Sequence, residues 1–227
     1  MSDHEALNGV IYADPCWRYR NFSDAAHGAA AAHYATLPDD DIASLPVRRW
    51  SAPDCVLALW TTWPKLAAGV EVVRAWGFDY VTGFPWVKVT PSTGEIRRGV
   101  GFWTMAASEV LLLGKRGEPA RRNLDGGRGK PIGLMAGEEQ RIFWAPIGRH
   151  SAKPLEVHAW LESTLDGPYL ELFARRTRPG WTCWGLEVGT RLTADGVETA
   201  DLPVDGSAVT QDERQGLLWG EPVGGEA

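Results

Sequence analysis

The segment Asp14-Pro15-Cys16-Trp17 combines residue types that can hold a flat molecule carrying an amino group. The Asp14 carboxylate and the Pro15 carbonyl can accept the two N–H bonds of an amino group, and the Trp17 indole can stack on a ring. The segment directly follows an apolar run at residues 9–13, which predicts a buried strand ending in a turn. It therefore indicates a pocket at the end of that strand, although an Asp-Pro pair in this position is also compatible with an ordinary turn.

Apolar runs of strand length alternate with segments of helical periodicity up to about residue 190. The predicted strands are 9–13, 56–61, 80–89, 109–113, 141–145 and 169–173. The predicted helices are 64–76 and 154–165. This alternation predicts an α/β fold with a mostly parallel sheet flanked by helices. Because ligands bind at the carboxyl ends of the strands in such sheets, Asp14 lies where chemistry is expected.

Several classes of protein are excluded by what the sequence lacks. The three cysteines are odd in number and widely spaced, which argues against a disulfide framework or a zinc ligand set. The chain shows no glycine pattern typical of dinucleotide or phosphate-loop enzymes, no apolar run of membrane length and no signal peptide. We therefore expect no metal site, no membrane partner and a cytoplasmic location.

Charge is distributed unevenly along the chain. The formal net charge is −6, but nine acidic and only two basic residues lie between Glu187 and the last residue, so that residues 1–186 carry +1. The acidic, Gly-rich end predicts a flexible tail at 191–227 that follows a folded domain at 1–190. The acidic total does not exclude nucleic acid as a partner, because local basic patches can still bind phosphate.

A basic, Gly-rich segment at residues 121–130 is a candidate for such a patch. Its cations are Arg121, Arg122, Arg128 and Lys130. We predict that these side chains contact the phosphate backbone of a nucleic-acid substrate. The alternative is a charged surface loop that is only solvated.

Taken together, the motifs of this chain resemble the adenine-N6 methyltransferases whose signature is Asp-Pro-Pro-Trp, the family that includes the mRNA adenosine methyltransferases. The resemblance runs in order from about residue 10 to residue 188. The similar blocks are 14–17, 33–37, 84–88, 99–103, 109–112, 150–154, 170–175, 179–181 and 184–185. The chain departs from the family pattern at Cys16, which replaces the second proline, and at Leu186, where asparagine is usual.

The resemblance implies a Rossmann-like fold dependent on S-adenosylmethionine, in a permuted order that puts the catalytic motif first. It implies transfer of a methyl group to the exocyclic amino group of adenine in nucleic acid, with DNA more likely than RNA. Asp14 and the Pro15 carbonyl would accept hydrogen bonds from that amino group. Trp17 would stack on the base, and Tyr34 would lie on the substrate side of the same pocket.

The resemblance also assigns residues to the cofactor. Lys153 would lie near the methionine carboxylate, and Asp14 would also belong to the cofactor site. Phe173 and Arg175 would lie at the end of a strand, with the arginine near the ribose or the carboxylate, and Glu187 would bind ribose hydroxyls. Two alternatives stay open: a catalytically silent relative that binds nucleic acid or a protein partner, and a methyltransferase that acts on a free nucleotide or another amine.

Overall fold

The computed structural model of the chain describes residues 7–19, 36–99, 101, 103–122, 128–131, 142–148, 152–185, 188, 190–193 and 196–199. Its helices are α1 (Asp39–Ala43), α2 (Val47–Trp50), α3 (Leu66–Ala75) and α4 (Leu155–Thr164). Its strands are β1 (Asn8–Ala13), β2 (Ser51–Thr61), β3 (Asp79–Val89), β4 (Ser108–Arg116), β5 (Ala120–Arg122), β6 (Arg128–Pro131), β7 (Phe143–Pro146), β8 (Tyr169–Leu172), β9 (Trp181–Trp184), β10 (Thr190–Thr193) and β11 (Gly196–Thr199). Within these ranges no helix has the length and apolar character needed to cross a bilayer.

Seven strands form one sheet in the order β7-β3-β4-β2-β1-β8-β9. β1 lies inside the sheet and pairs in parallel with β2 and β8, with Ala13 opposite Leu59 on one side and Leu172 on the other. β3 with β7 and β8 with β9 are also parallel pairs, whereas β4 is antiparallel to both of its neighbours. The sheet is therefore mostly parallel, and β4 is the strand that reverses direction.

Helices cover both faces of the sheet because the strand side chains alternate between two apolar clusters. Ile11 belongs to the cluster that contains α3, and Val10 belongs to the cluster that contains α4. α3 buries Gly69, Val72 and Val73, whose spacing places them on one helical face. A Cβ on Gly69 would lie 3.0 Å from Leu112, so the glycine lets α3 pack closely against β4.

This architecture confirms the α/β, Rossmann-like fold class predicted from the sequence, with a sheet strand and a turn first in the chain. Helix 64–76 consists of a 3-10 turn at Trp63–Lys65 followed by α3. β2 begins five residues before the predicted strand, because Ser51 already pairs with Asn8 of β1. Residues 51–55 are not an apolar run, so the sequence pattern did not include them. β10 and β11 pair within the segment predicted as a tail, and the domain boundary near residue 190 stays a prediction.

Candidate active site

Five charged residues meet at the carboxyl edge of the sheet. Asp14 follows β1, Lys88 lies near the end of β3 and Arg175 follows β8. Glu109 is the second residue of β4, and the reversed direction of β4 brings the beginning of this strand to the edge where its neighbours end. Lys153 approaches the same edge from the segment that precedes α4.

Ion pairs join these residues into one network. The Lys153 ammonium lies 2.7 Å from Oδ1 of Asp14 and 3.3 Å from Oε2 of Glu109. The Lys88 ammonium lies 2.5 Å from Oε1 of Glu109. A guanidinium nitrogen of Arg175 lies 3.8 Å from Oδ2 of Asp14. Each carboxylate therefore has a cation beside both of its oxygens.

Burial and pairing set the pKa values in this network. Burial raises the pKa of Asp14, although Lys153 and Arg175 oppose the shift. Burial alone would raise the pKa of Glu109 as well, but the two neighbouring ammonium groups outweigh it and lower the pKa. Burial disfavours the charged form of Lys153, and its two carboxylate partners reverse this and raise its pKa. Lys153 and Glu109 are therefore held charged at neutral pH.

Two tryptophan rings make cation–π contacts with the two lysines. The Lys153 ammonium lies 5.8 Å from the ring centre of Trp60, and the Lys88 ammonium lies 5.2 Å from that of Trp86. Both rings are fully buried, and each ammonium lies over an aromatic face in addition to its carboxylate contacts. The Trp60 indole N–H in turn donates to the Tyr12 hydroxyl at 2.7 Å, which fixes the orientation of the ring.

The Asp-Pro turn is tied down by Trp17. The Trp17 backbone N–H donates to the Pro15 carbonyl at 2.9 Å, and its indole N–H donates to the Trp60 carbonyl at 3.1 Å. The Trp17 side chain is only 5% exposed and packs in the core. In this structure the ring therefore anchors the turn, and stacking of Trp17 on a base stays a prediction. Burial raises the pKa of the neighbouring Cys16 thiol to about 11, which disfavours a nucleophilic thiolate.

The segment after β8 is shaped by an unusual backbone conformation. Phe173 has a φ of 63°, a left-handed conformation that is uncommon for a bulky residue. Its ring packs against Trp184 at 4.9 Å between centres. The Ala174 N–H donates to the Trp184 carbonyl at 2.7 Å, and Arg175 follows with its guanidinium beside Asp14. Phe173 and Arg175 thus lie at the same edge as Asp14, as the sequence predicts.

The remaining predicted site residues divide into two groups. Tyr34 and Glu187 lie outside the described residues. Arg121, Arg122, Arg128 and Lys130 lie on β5 and β6, which pair with each other and not with the main sheet, and their contact with phosphate stays a prediction.

Sequence reasoning did not assign a role to Lys88 or Glu109. Each lies in a block that resembles the family. Lys88 lies near the last residue of an apolar strand, and Glu109 lies near the first residue of the next one. A charged residue at the end of a strand is usually exposed to solvent. The local pattern alone therefore does not distinguish an active-site residue from a surface residue. A pair of opposite charges bordering two consecutive predicted strands was the available signal.

Comparison with known proteins places the chain in a family. The family profile described as MT-A70 matches residues 8–187. The chain is 30% identical over 197 residues to the type II methyltransferase M.MunI of a Mycoplasma species, covering 79% of this chain and 77% of that protein.

Two human relatives are longer proteins. The chain is 29% identical over 184 residues to the N(6)-adenine-specific methyltransferase METTL4, with 79% of this chain and 37% of that protein covered. It is 28% identical over 203 residues to the N(6)-adenosine-methyltransferase catalytic subunit METTL3, with 86% of this chain and 30% of that protein covered. The chain thus spans only about a third of each human relative. The matched residues carry the central sheet and all five residues of the charged network, and the chain belongs to the MT-A70 family.

Proposed function

We propose that this chain transfers the methyl group of S-adenosylmethionine to the exocyclic amino group of adenine in nucleic acid, with DNA as the preferred polymer. The observation that carries the proposal is the Asp14-Pro15 turn, in which consecutive residues supply a carboxylate and a carbonyl at the carboxyl edge of the sheet. The names of METTL4 and METTL3 as adenine and adenosine N6 methyltransferases support the same reaction.

The turn offers two acceptors to the target amino group. The Lys153 ammonium lies 2.7 Å from the Asp14 carboxylate and opposes the rise in the Asp14 pKa that burial causes. The Pro15 carbonyl accepts one hydrogen bond from the Trp17 N–H and keeps a second lone pair for a substrate. The lone pair of an adenine amino group is delocalised into the ring, so the nitrogen is a poor nucleophile. Two acceptors that hold its N–H bonds would draw the nitrogen toward tetrahedral geometry and free the lone pair to attack the methyl group, which is catalysis by positioning and electrostatics.

The residues around Asp14 fit S-adenosylmethionine as cofactor. Arg175 carries a guanidinium with a 26% exposed side chain at this edge, and Phe173 supplies an aromatic face in a strained backbone position. These groups suit the carboxylate, the ribose and the flat base of the cofactor. When bound, the cofactor would supply a methyl group on a sulfonium, whose sulfur would leave as a neutral thioether when the sulfur–methyl bond breaks.

Lys153 is assigned first to Asp14. Its side chain is 9% exposed and lies between two carboxylates, so its charge serves to orient the Asp14 carboxylate. The contact of Lys153 with the methionine carboxylate that the sequence predicts is kept as part of this proposal, because an ammonium has three donors. Glu187 would complete the cofactor site.

The preference for DNA has one source of support. The chain covers 77% of M.MunI, a type II methyltransferase, and only 30% of METTL3, an adenosine methyltransferase. A target adenine in a duplex would have to be extruded before its amino group could reach Asp14.

Activity is tested with labelled S-adenosylmethionine on double-stranded DNA, single-stranded DNA and RNA, followed by digestion and detection of N6-methyladenine. Wild-type protein should form this product, and the yield should be higher on DNA than on RNA. Product on none of the polymers, together with no cofactor binding by calorimetry, overturns the proposal and favours a silent relative. Product from a free nucleotide alone would favour the small-molecule alternative.

The role of Asp14 is tested with Asp14→Ala. Transfer should be abolished, while the affinity for the cofactor changes by less than about tenfold. Asp40→Ala is the matched control, since Asp40 is an exposed carboxylate on α1. Persistent transfer in Asp14→Ala would show that Asp14 does not bind the target amino group.

A further inference from the structure

The connection between β3 and β4, two strands that carry residues of the active site, contains a fully exposed tryptophan. We call its described residues, 90–99, 101 and 103–107, the β3–β4 loop. Trp103 is the most exposed large apolar residue of the described chain, and Met105 near it is 62% exposed. A fully exposed indole can offer its aromatic face to a ligand, so Trp103 is a candidate contact residue.

The loop is built directly onto the charged network. The Lys88 N–H donates to the Ala107 carbonyl at 2.9 Å, and the Arg97 N–H donates to the Lys88 carbonyl at 2.8 Å. Lys88 and Glu109, on the two stems, form the ion pair that supports Lys153. Both stems of the loop therefore belong to the active site.

The tip of the loop is narrow and strained. Gly99 and Ala106 exchange two backbone hydrogen bonds of 2.7 and 3.1 Å. A Cβ on Gly101 would lie 2.2 Å from the Thr104 carbonyl oxygen, so the backbone approaches itself closely there. Trp103 has a φ of 64°, and only one other non-glycine residue of the described chain, Phe173, has a positive φ. Strained residues concentrate at sites where function requires the conformation.

The charges near Trp103 select the partner. Arg97 and Arg98 are exposed on the loop, and Glu95 is its one acidic residue among those described. A second aromatic, Trp63, is 51% exposed and donates from its indole N–H to the Ser108 hydroxyl at the root of the loop. Exposed indoles next to guanidinium groups suit a nucleic-acid strand, whose bases stack and whose phosphates are anionic.

We propose that Trp103 stacks on an unpaired base of the substrate strand while Arg97 and Arg98 contact the adjacent phosphates. The loop would then hold single-stranded or locally opened nucleic acid at the edge where Asp14 lies. This inference rests on the proposed function for the presence of a nucleic-acid substrate. Stacking on an indole does not require a particular base, so the loop would contribute affinity and no sequence preference.

The test measures the affinity of the full chain for a fluorescent single-stranded oligonucleotide containing one adenine, as DNA and as RNA, by anisotropy. Trp103→Ala and Trp103→Leu should weaken binding by about tenfold or more, while Trp103→Phe, which keeps an aromatic face, should stay within about threefold of wild type. Tyr80→Ala is the matched control, because Tyr80 is an aromatic residue 43% exposed at the opposite edge of the sheet. Thermal melts and calorimetry with S-adenosylmethionine verify that the variants are folded.

The outcomes separate this inference from the proposed function. Equal affinity of wild type and Trp103→Ala overturns the inference, even where wild type forms N6-methyladenine. A Trp103→Ala protein that sediments as a smaller species with unchanged oligonucleotide affinity also overturns it, and assigns the loop to contact between protein chains. Binding that depends on Trp103 without any methyl transfer supports the inference and overturns the proposed function.

Discussion

Glu109 is the residue on which the two lysines of the active site depend. It is 7% exposed and lies within ion-pair distance of Lys88 and Lys153. Without Glu109, Lys153 would keep Asp14 as a partner. Lys88 would lose its ion-pair partner in a largely buried position. A buried charge without a partner is among the most destabilising features that a substitution can create.

Glu109→Gln should therefore lower the free energy of unfolding by about 3 kcal/mol. Methyl transfer should fall as well, because Lys153 would lose the second contact that fixes it beside Asp14. Urea unfolding measures the first effect. Glu71→Gln is the control: its ion pair with Arg74 is largely exposed, and its loss should cost less than about 0.5 kcal/mol. Similar losses in the two variants would show that the Glu109 network does not stabilise the fold.

The lowered pKa of Glu109 makes this stabilisation dependent on pH. A carboxyl whose pKa is lower in the folded state stabilises the protein fully above its ordinary value of 4.5, and this contribution is lost as pH falls through the lowered pKa. The difference in unfolding free energy between wild type and Glu109→Gln should thus be constant near neutral pH and shrink toward about pH 3. Urea titrations at descending pH measure it, and a difference that grows in acid would contradict the assigned direction.

At the scale of elements, the end of β9 lies in close backbone contact with the segment at residues 173–175. A Cβ on Gly185, which follows β9, would lie 2.1 Å from the carbonyl oxygen and 2.6 Å from the nitrogen of Ala174. Ala174 lies between the two residues assigned to the cofactor, Phe173 and Arg175. A side chain at residue 185 must therefore displace the segment that carries both.

Gly185→Ala should weaken cofactor binding by about tenfold or more, because both assigned side chains would move. Calorimetry with S-adenosylmethionine measures the change. Gly99→Ala is the matched control, since its Cβ would approach only the Ala106 oxygen, at an ordinary 3.6 Å. Unchanged cofactor affinity in Gly185→Ala would remove Phe173 and Arg175 from the proposed cofactor site.

Elements and site residues differed in how far the sequence predicted them. Asp14 was predictable because an apolar run ends directly before it. Glu109 was not, because its role depends on the reversed direction of β4, and nothing in the local pattern encodes strand direction. The burial of Trp17 depends on a bond to Trp60, which is 43 residues away. The left-handed conformation of Trp103 likewise carries no local signal, since glycine is the usual residue there.

For the whole molecule, charge separates along the chain. Six acidic residues and one basic residue lie beyond Thr199, so residues 1–199 carry −1 of the total of −6. Strands β10 and β11 continue to Thr199, which makes Thr199 a better limit for truncation than residue 190. The acidic segment beyond it would repel a polyanionic substrate, and added salt would screen that repulsion.

Removal of residues 200–227 should therefore strengthen binding to single-stranded DNA at about 50 mM salt and have little effect at about 200 mM or above. Fluorescence anisotropy at the two salt concentrations measures the change. A variant of full length with the acidic residues beyond Thr199 replaced by asparagine or glutamine controls for the loss of length. Equal affinity of truncated and full chains at low salt would show that the acidic segment lies too far from the substrate to act.

The reversal of β4 also affects how such an enzyme can diversify. Parallel neighbours must be joined by a crossover that spans the sheet, whereas antiparallel neighbours can be joined at one edge by a connection of any length. Lys88 and Glu109 are fixed by the ladder between β3 and β4, so residues can be inserted between positions 90 and 107 without shifting that ion pair. This connection can therefore change in length and composition while the charged network around Asp14 stays in place.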